Sequence, residues 1–170
     1  MIGNAKKSIV LSTFDLRPDD SGTKIIAALY TAAERGVQVQ ILIDGIYQKL
    51  FLEKSPVFQA LAAHQNIEVG IYNPVTNLMR LNYRMHDKYL IIDESMYLLG
   101  GRNTNDIFLG DKKTRINVDR DIFVYEETQG KGESLQALEK YFDAIWNEAQ
   151  VRKKKKTAAA SYEEKCKSED

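Results

Sequence analysis

Two side chains of complementary chemistry lie close together in the stretch from Met85 to Asp93. His86 carries an imidazole whose ordinary pKa of about 6.5 lets it act as a nucleophile or a proton carrier. Lys88 carries a fixed cation, and residues i and i+2 of a strand project from one face, roughly 6.5 to 7 Å apart. The ammonium could therefore bind an anionic group while the imidazole attacks it.

A second polar group, Gly100-Gly101-Arg102-Asn103, follows the strand that is predicted to pair back on this stretch. The hairpin would bring this group beside His86, and two glycines allow the backbone to approach a ligand closely. The Asn103 amide is a neutral donor that suits a non-bridging phosphate oxygen. Because phosphodiesters repel anionic nucleophiles, a neutral imidazole flanked by a lysine and an amide is a suitable attacker.

The same residues also have a purely structural interpretation. A histidine at the start of a strand is usually a packing or rim residue. Lys88 is harder to explain in this way, because burying an unpaired ammonium on an apolar strand is costly. Residue types and spacing therefore leave a catalytic and a structural role open for His86.

The surrounding elements predict an α/β fold. A strand, a helix and a strand in the first 44 residues form a unit that favours two parallel strands. Apolar runs and helical periodicity predict strands at 8–13, 37–44, 67–72, 88–92, 96–99 and 118–126, and helices at 23–35, 56–64 and 134–150. We therefore expect a mixed, largely parallel β-sheet of six or seven strands flanked by helices on both faces, with the site at the ends of central strands.

We expect residues 1–150 to form one domain and residues 151–170 a basic, polar C-terminal tail. Five consecutive cations, Arg152 to Lys156, lie at the start of this tail. A frayed, solvated extension is the favoured interpretation, and binding to nucleic acid or anionic lipid is the alternative. No apolar run reaches the roughly 18 residues that span a bilayer, and the N-terminus lacks signal-peptide features. We therefore expect this chain to be soluble.

The composition limits the other classes of function. The chain has 24 Lys and Arg against 24 Asp and Glu, so a net charge of zero argues against a nucleic-acid coat protein. A single cysteine, Cys166, excludes an internal disulfide framework and a cysteine-built zinc site. With two histidines in the chain, a metal centre would depend mainly on carboxylates. We predict no metal and no cofactor.

The string His86-x-Lys88-x4-Asp93-x6-Gly100-Gly101-x-Asn103 resembles the HKD motif of the phospholipase D superfamily. The resemblance extends from about residue 5 to residue 147. Segments that include Asp106, Phe108 and the run from Tyr141 to Asn147 are similar to the cardiolipin synthase branch, and to the first half of its two-repeat proteins. The resemblance implies a phospholipase D-like fold and chemistry on phosphodiesters.

The resemblance also implies roles for individual residues. His86 would be the nucleophile that forms a phosphohistidine, or the general acid that protonates the leaving alcohol, and Lys88 and Asn103 would bind the phosphate. A downstream carboxylate would hold the other nitrogen of the imidazole. Asp119 and Asp121 are predicted to share one strand face, so either could do this, and rough alignment favours Asp119. A polar strand face exposed to water is the alternative for both.

Asp93 belongs to the motif, but it lies an odd number of positions from Lys88 and begins a turn. An uninterrupted strand would point it away from the shared face. We therefore expect it to have a structural role, accepting backbone hydrogen bonds at the turn.

The chemistry of the family needs two HKD motifs across one site, and this chain has one. His64 lies in no such motif and is interpreted as a packing or rim residue of its helix. The second motif would come from a symmetric homodimer or from the missing half of a longer protein. The abrupt start at the first strand and the ending near residue 147 favour the missing half.

The leading functional hypothesis is a phosphatidyltransferase or phosphodiesterase that acts on glycerophospholipids at a membrane surface. Any membrane anchor would lie outside this chain, and the full-length protein is expected on the cytoplasmic side of the membrane. One alternative is a dimeric nuclease that cleaves DNA or RNA, disfavoured by the neutral charge and the absence of an obvious basic, aromatic groove. Another is a non-catalytic half of a larger enzyme, disfavoured by the intact set of His86, Lys88 and Asn103.

Overall fold

A computed structural model of the chain describes residues 1–76, 80–110, 117–128 and 131–154. Seven strands form one sheet, in the order β6-β5-β4-β1-β2-β3-β7. The strands are β1 (Ser8–Thr13), β2 (Gln38–Asp44), β3 (Ile67–Tyr72), β4 (Tyr89–Ile92), β5 (Met96–Gly100), β6 (Asp121–Tyr125) and β7 (Val151–Lys153). The helices are α1 (Asp20–Glu34), α2 (Gly45–Tyr47), α3 (Pro56–Ala63), α4 (Asp106–Leu109) and α5 (Glu133–Trp146), with a π-helical turn at Gln48–Leu52.

The predicted mixed sheet is confirmed, but "largely parallel" was wrong. β1, β2 and β3 run parallel to one another, whereas β4, β5, β6 and β7 join the sheet by antiparallel pairings. The predicted β4–β5 hairpin accounts for one of these pairings, and the others join strands that are distant in sequence. In the hairpin, Asp93 and Glu94 both have positive φ angles, 54° and 51°. A two-residue turn of this kind matches the twist of an antiparallel hairpin.

Helices cover both faces of the sheet, as expected. On one face α1 and α3 pack over the three parallel strands and bury an apolar core that includes Ile41 and Phe58. On the other face α5 places Leu135, Phe142 and Trp146 against the central strands. Alternate residues of each buried strand reach opposite faces, which explains why these strands are apolar throughout.

Two predicted boundaries differ from the structure. Helix α1 begins at Asp20 rather than at residue 23, because the Asp19 carboxylate accepts a hydrogen bond from the Gly22 amide and caps the first turn. Val151 to Lys153 form the edge strand β7 on β3, although they were assigned to the frayed tail. The predicted tail from residue 155 onward, with Cys166, lies outside the described residues, as do parts of the loops predicted at 73–84 and 102–117.

Within the described ranges, none of the helices combines the length and the apolar character required to cross a bilayer. The longest of them, α1, has 15 residues.

Candidate active site

Three chain segments converge where β1 ends. They are Phe14 and Asp15 just after β1, the extended segment from His86 to Lys88 just before β4, and the segment from Gly100 to Asn105 that leaves β5. Backbone bonds connect them: the Gly100 amide donates to the Lys88 carbonyl at 3.1 Å, and the Thr104 amide donates to the Asp15 carbonyl at 3.0 Å. The hairpin therefore returns the Gly-Gly segment beside the histidine segment, as the spacing predicted.

Lys88 and His86 are in direct contact. The Lys88 Nζ lies 2.9 Å from His86 Nδ1 and donates to the His86 carbonyl oxygen at 2.6 Å. Lys88 is only 6% exposed, and its ammonium lies 5.2 Å from the centre of the Phe14 ring. Burial lowers the pKa of Lys88 below its ordinary value, while the carboxylates of Asp87, Asp119 and Asp15 act in the opposite direction. A phosphate arriving here would meet a cation that is poorly solvated and therefore strongly attracted to it.

Asn103 is held so that its amide group remains available as a donor. Its Oδ1 accepts a hydrogen bond from the Asp15 amide at 3.2 Å, and Asn103 is itself buried. Among the described residues, its Nδ2 has no hydrogen-bond partner, and it is not a fully buried atom. This orientation leaves an N–H donor for a ligand oxygen.

Lys88 and Asn103 line one pocket of about 110 Å³. Gly100, Arg102 and Thr104 contribute to its polar end. Leucines of β1, β4 and β5 form an apolar wall, namely Leu11, Leu90 and Leu98. His86 is exposed and lies outside the pocket lining, but the Lys88 ammonium joins the imidazole to the pocket. The three predicted site residues therefore meet in one place.

The two glycines allow a close approach, but the approaching groups in this structure are carboxylates. A side chain at Gly100 would collide with Asp121, and one at Gly101 would collide with Asp119. Gly100 also lines the pocket. Its close approach to a ligand remains a prediction. Two carboxylates thus lie against the Gly-Gly segment.

The strand that is predicted to carry both carboxylates on one face begins at a later residue than expected. β6 starts at Asp121, so Asp119 lies in the segment before the strand and the two residues do not share a strand face. The Asp121 Oδ2 is paired with the Arg102 Nε at 2.7 Å, and the Asp119 Oδ1 accepts from the Arg120 amide at 2.7 Å. Within the part of the chain that the structure describes, neither carboxylate hydrogen-bonds to His86.

Asp93 lies at the opposite end of β4 from His86. Its carboxylate accepts hydrogen bonds from the backbone amides of Lys6, Lys7 and Ser8 at the beginning of β1. Burial acts to raise the pKa of Asp93, but these amide donors outweigh it and lower the pKa below its ordinary value. The geometry supports a structural role, with the donors on β1 rather than in the turn itself.

His64 lies at the C-terminal end of α3. Its Nε2 lies 2.7 Å from the Glu34 carboxylate, and its Nδ1 accepts from the Asn66 amide at 3.1 Å. These contacts place it at the rim between α1 and β3, away from the His86 segment.

Sequence reasoning missed the residues that hold the His86 segment in place. The fully buried Asp44 carboxylate accepts from the Met85 amide at 3.2 Å, from the Ile46 amide at 2.9 Å and from the Arg84 Nη1 at 3.2 Å. Burial raises the pKa of Asp44, and these donors act against the shift. The sequence signal that could have indicated this role is an aspartate at the end of an otherwise apolar strand.

A second clamp on the His86 segment comes from helix α5, which packs on the sheet face that also carries Leu42 and Met85. The Tyr141 hydroxyl on α5 donates to the Asp87 carboxylate at 2.8 Å. Asp87 lies between the two motif residues, so the long helix positions the motif through this bond.

A comparison with known families identifies the relationship. Residues 1–146 match the model of the family described as "Cardiolipin synthase, PLD-like domain". The chain belongs to this PLD-like domain family. The match includes every residue of the site, so the HKD resemblance is confirmed at the level of the family.

Curated relatives and solved structures agree with this PLD-like assignment. Cardiolipin synthase of Clostridium perfringens is 34% identical over 148 residues, which is 87% of this chain and 30% of that protein. The chain therefore spans about a third of the length of the relatives it matches.

Solved structures show the same fold. The phospholipase D family member Nuc from Salmonella typhimurium superposes with a TM-score of 0.61 at 21% identity, covering 91% of this chain and 86% of that chain. Phosphatidylserine synthase from Haemophilus influenzae superposes with a TM-score of 0.65 at 19% identity, covering 88% of this chain and 34% of that chain.

Proposed function

We propose that this chain supplies one half of a phosphodiester-cleaving active site that transfers phosphatidyl groups from glycerophospholipids, as a cardiolipin synthase-like enzyme. The main supporting observation is the contact between the buried Lys88 ammonium and the His86 imidazole, next to the Asn103 Nδ2 donor, which has no partner among the residues that the structure describes. Together they offer two phosphate-binding donors and a neutral nucleophile. The cardiolipin synthase relatives support the lipid substrate class.

In the proposed reaction, a ring nitrogen of His86 donates its lone pair to phosphorus as the bond from phosphorus to the leaving alcohol oxygen breaks. The imidazolium of a second motif gives its proton to that oxygen. An acceptor alcohol or water then loses a proton to the second imidazole and displaces His86 from phosphorus. Lys88 and Asn103 stabilise the charge on the non-bridging oxygens throughout.

The contact with Lys88 sets the tautomer of the resting ring. An ammonium can only donate, so Nδ1 accepts in this contact and the neutral ring carries its proton on Nε2. We infer that the substrate phosphate draws the ammonium away; Nε2 then gives its proton to water while Nδ1 takes a proton from water and donates it in a hydrogen bond to a carboxylate, which leaves the Nε2 lone pair free to attack. Asp119 suits this role better than Asp121, because Asp121 is paired with Arg102.

The second motif has to come from outside the part of the enzyme seen here. Members of the family act as dimers or as two-domain enzymes, with lipid or nucleic-acid substrates. Leu98, Phe123 and Tyr125 lie on the sheet face that also carries Lys88, and the last two are exposed beyond the area that α1 and α3 cover. We propose that a second PLD-like unit, from a longer protein or from a second copy, packs on this apolar face.

The test is to trap the intermediate in an assembly that contains both motifs. We expect protein incubated with phosphatidylglycerol that carries 32P in its phosphodiester, and then denatured at alkaline pH, to carry label on His86, and the His86→Asn variant to carry none. Label that persists in His86→Asn would contradict the mechanism. Cleavage of a single-stranded oligonucleotide without lipid turnover would favour the nuclease alternative, and inactivity on both would favour a non-catalytic half.

A metal-independent reaction is part of the proposal, because the attacking group is an imidazole rather than a metal-bound hydroxide. We expect turnover to survive treatment with a chelator. Loss of activity that a divalent cation restores would contradict direct attack by His86.

A further inference from the structure

An exposed apolar tip projects from the same end of the sheet as the site. It consists of residues Lys49 to Lys54, which follow α2 and include most of the π-helical turn. Leu50 is 67% exposed and Phe51 38% exposed, whereas Leu52 is fully buried and anchors the turn in the core. Irregular helical turns of this type occur frequently at functional sites.

The tip is joined to the imidazole by a continuous row of aromatic rings. Phe51 stacks on Tyr47 with ring centres 5.9 Å apart, and Tyr47 meets Phe14 edge-on at 4.6 Å. Phe14 in turn lies 4.6 Å from the His86 ring. The Arg17 guanidinium covers Phe51 at 4.7 Å. This aromatic row, Phe14, Tyr47 and Phe51, therefore leads from the outer surface to the reacting ring.

Cations lie on the tip and in a cleft beside it. Lys49 and Lys54 belong to it, and Arg152, Lys153 and Lys154 share a cleft with Lys49. The acidic residue of the tip is Glu53, which is paired with Lys49 at 2.7 Å. Apolar side chains set in a cationic rim match the boundary between the acyl chains and the head groups of an anionic bilayer.

We propose that this tip seats the chain on an anionic phospholipid bilayer, with Leu50 and Phe51 at the boundary between head groups and acyl chains. The proposal rests on the proposed function and adds the surface by which the site reaches its substrate. The aromatic row gives a lipid an apolar path as its phosphate moves from the membrane toward His86. A nucleic acid fits less well, because the most exposed residue is the aliphatic Leu50, which cannot stack on a base.

Tryptophan fluorescence tests the seating directly. The natural Trp146 is 4% exposed and supplies a constant background. In Phe51→Trp we expect a blue shift on adding phosphatidylglycerol vesicles, and quenching when the lipids carry brominated acyl chains. Tyr30→Trp is the matched control, because Tyr30 is also 38% exposed but lies on α1 near His64, toward the opposite end of the sheet.

Vesicle flotation gives the second measurement. We expect the double variant Leu50→Ser/Phe51→Ser to partition about tenfold or more weakly than the natural chain into phosphatidylglycerol vesicles, while Tyr30→Ser partitions normally. Raising the salt concentration should weaken the natural chain's binding. Thermal unfolding of the double variant checks that it folds.

Failure of the natural chain to bind vesicles, equal binding by the double variant, or an unquenched Phe51→Trp would overturn the proposal. A Phe51→Trp signal that responds to a single-stranded oligonucleotide and not to vesicles would also overturn it, in favour of base stacking. Because these readouts need no turnover, they separate this proposal from the proposed function. Vesicle seating by this chain, together with no phosphatidyl transfer by the assembly that contains both motifs, would refute the proposed function and leave the docking surface intact.

Discussion

An aspartate holds neighbouring segments together at each end of the β-sheet, and the two carboxylates differ in how deeply they are buried. Asp44, at the site end, is fully buried, pairs with Arg84 and accepts from the Met85 amide, one residue before His86. Asp93, at the far end, is partly exposed and accepts from the backbone amides of Lys6, Lys7 and Ser8 at the start of β1. Burial raises the pKa of Asp44, while amide donors lower that of Asp93.

The difference separates positioning from stabilisation. At the far end, the Asp93 carboxylate accepts hydrogen bonds from backbone amides and remains partly exposed to water, so it stabilises the fold at little desolvation cost. The site end holds a buried ion pair whose desolvation cost offsets much of its attraction, in order to fix the segment that carries the imidazole. We therefore expect changes at the site end to lower turnover, whatever their effect on stability, and changes at the far end to lower stability with little effect on turnover.

The largest expected effect is that of Lys88→Met at the site end. Removing a preorganised donor to the transition-state phosphate should lower turnover by about 10²–10³-fold. Stability should be unchanged or higher, because a poorly solvated ammonium is replaced by an apolar side chain of similar length. Phosphatidyl transfer by the two-motif assembly and urea unfolding measure the two effects. Near-normal turnover in a folded variant would remove Lys88 from the phosphate site.

Asp44→Asn should affect both properties. Breaking a buried ion pair from one side leaves the Arg84 guanidinium with backbone carbonyl partners but no carboxylate, which costs about 3–5 kcal/mol of unfolding free energy. The loosened Met85 amide should lower turnover roughly tenfold or more. The double variant Asp44→Asn/Arg84→Met sharpens the result. We expect it to recover stability without recovering turnover; recovery of both would mean that Asp44 acts only through folding.

Asp93→Asn is the matched change at the far end. We expect a loss of about 1–3 kcal/mol of stability at neutral pH, because charge-assisted bonds to three amides are weakened, and turnover within about twofold of normal. The pKa of Asp93 is depressed in the folded state, so its contribution is present above the ordinary carboxyl pKa and is lost as the pH falls through the folded value.

Unfolding curves between neutral pH and pH 2 check this sign. The difference between the natural chain and Asp93→Asn should shrink as the solution becomes acidic. An Asp93→Asn variant with normal stability and no activity would mean that this member of the motif acts in catalysis.

The regular part of the fold was largely predictable from sequence. Strands β1 and β3 agree with the predicted bounds residue for residue, because buried apolar runs bounded by turn residues leave little choice. The β4–β5 hairpin was also predictable, although its positive φ angles at Asp93 and Glu94 are not encoded by an Asn-Gly or Asp-Gly pair. The antiparallel pairings of β4 with β1, β6 with β5 and β7 with β3 join strands that no short turn connects, so no local signal predicts their direction. The edge strand β7 was missed because a run of cations normally indicates a solvated segment.

The candidate site divides in a similar way. The meeting of His86, Lys88 and Asn103 followed from strand spacing and a hairpin, which are local features. The clamps from Asp44 and Tyr141 join residues 41 and 54 positions apart, so no local pattern predicts them. The aromatic row from His86 to Phe51 likewise depends on how β1 and α2 pack together.

The smallest expected effect tests the clamp from α5. Tyr141→Phe removes one hydroxyl and its 2.8 Å bond to Asp87, on a side chain that is about half exposed. We expect a loss of about 0.5–1.5 kcal/mol in stability and a fall of roughly threefold in turnover, with KM for the lipid almost unchanged. Tyr30→Phe, which also loses a hydroxyl but lies on α1, serves as the control. If both variants behave alike, the site end is held by Asp44 without help from α5, and the contrast between the two aspartates becomes sharper.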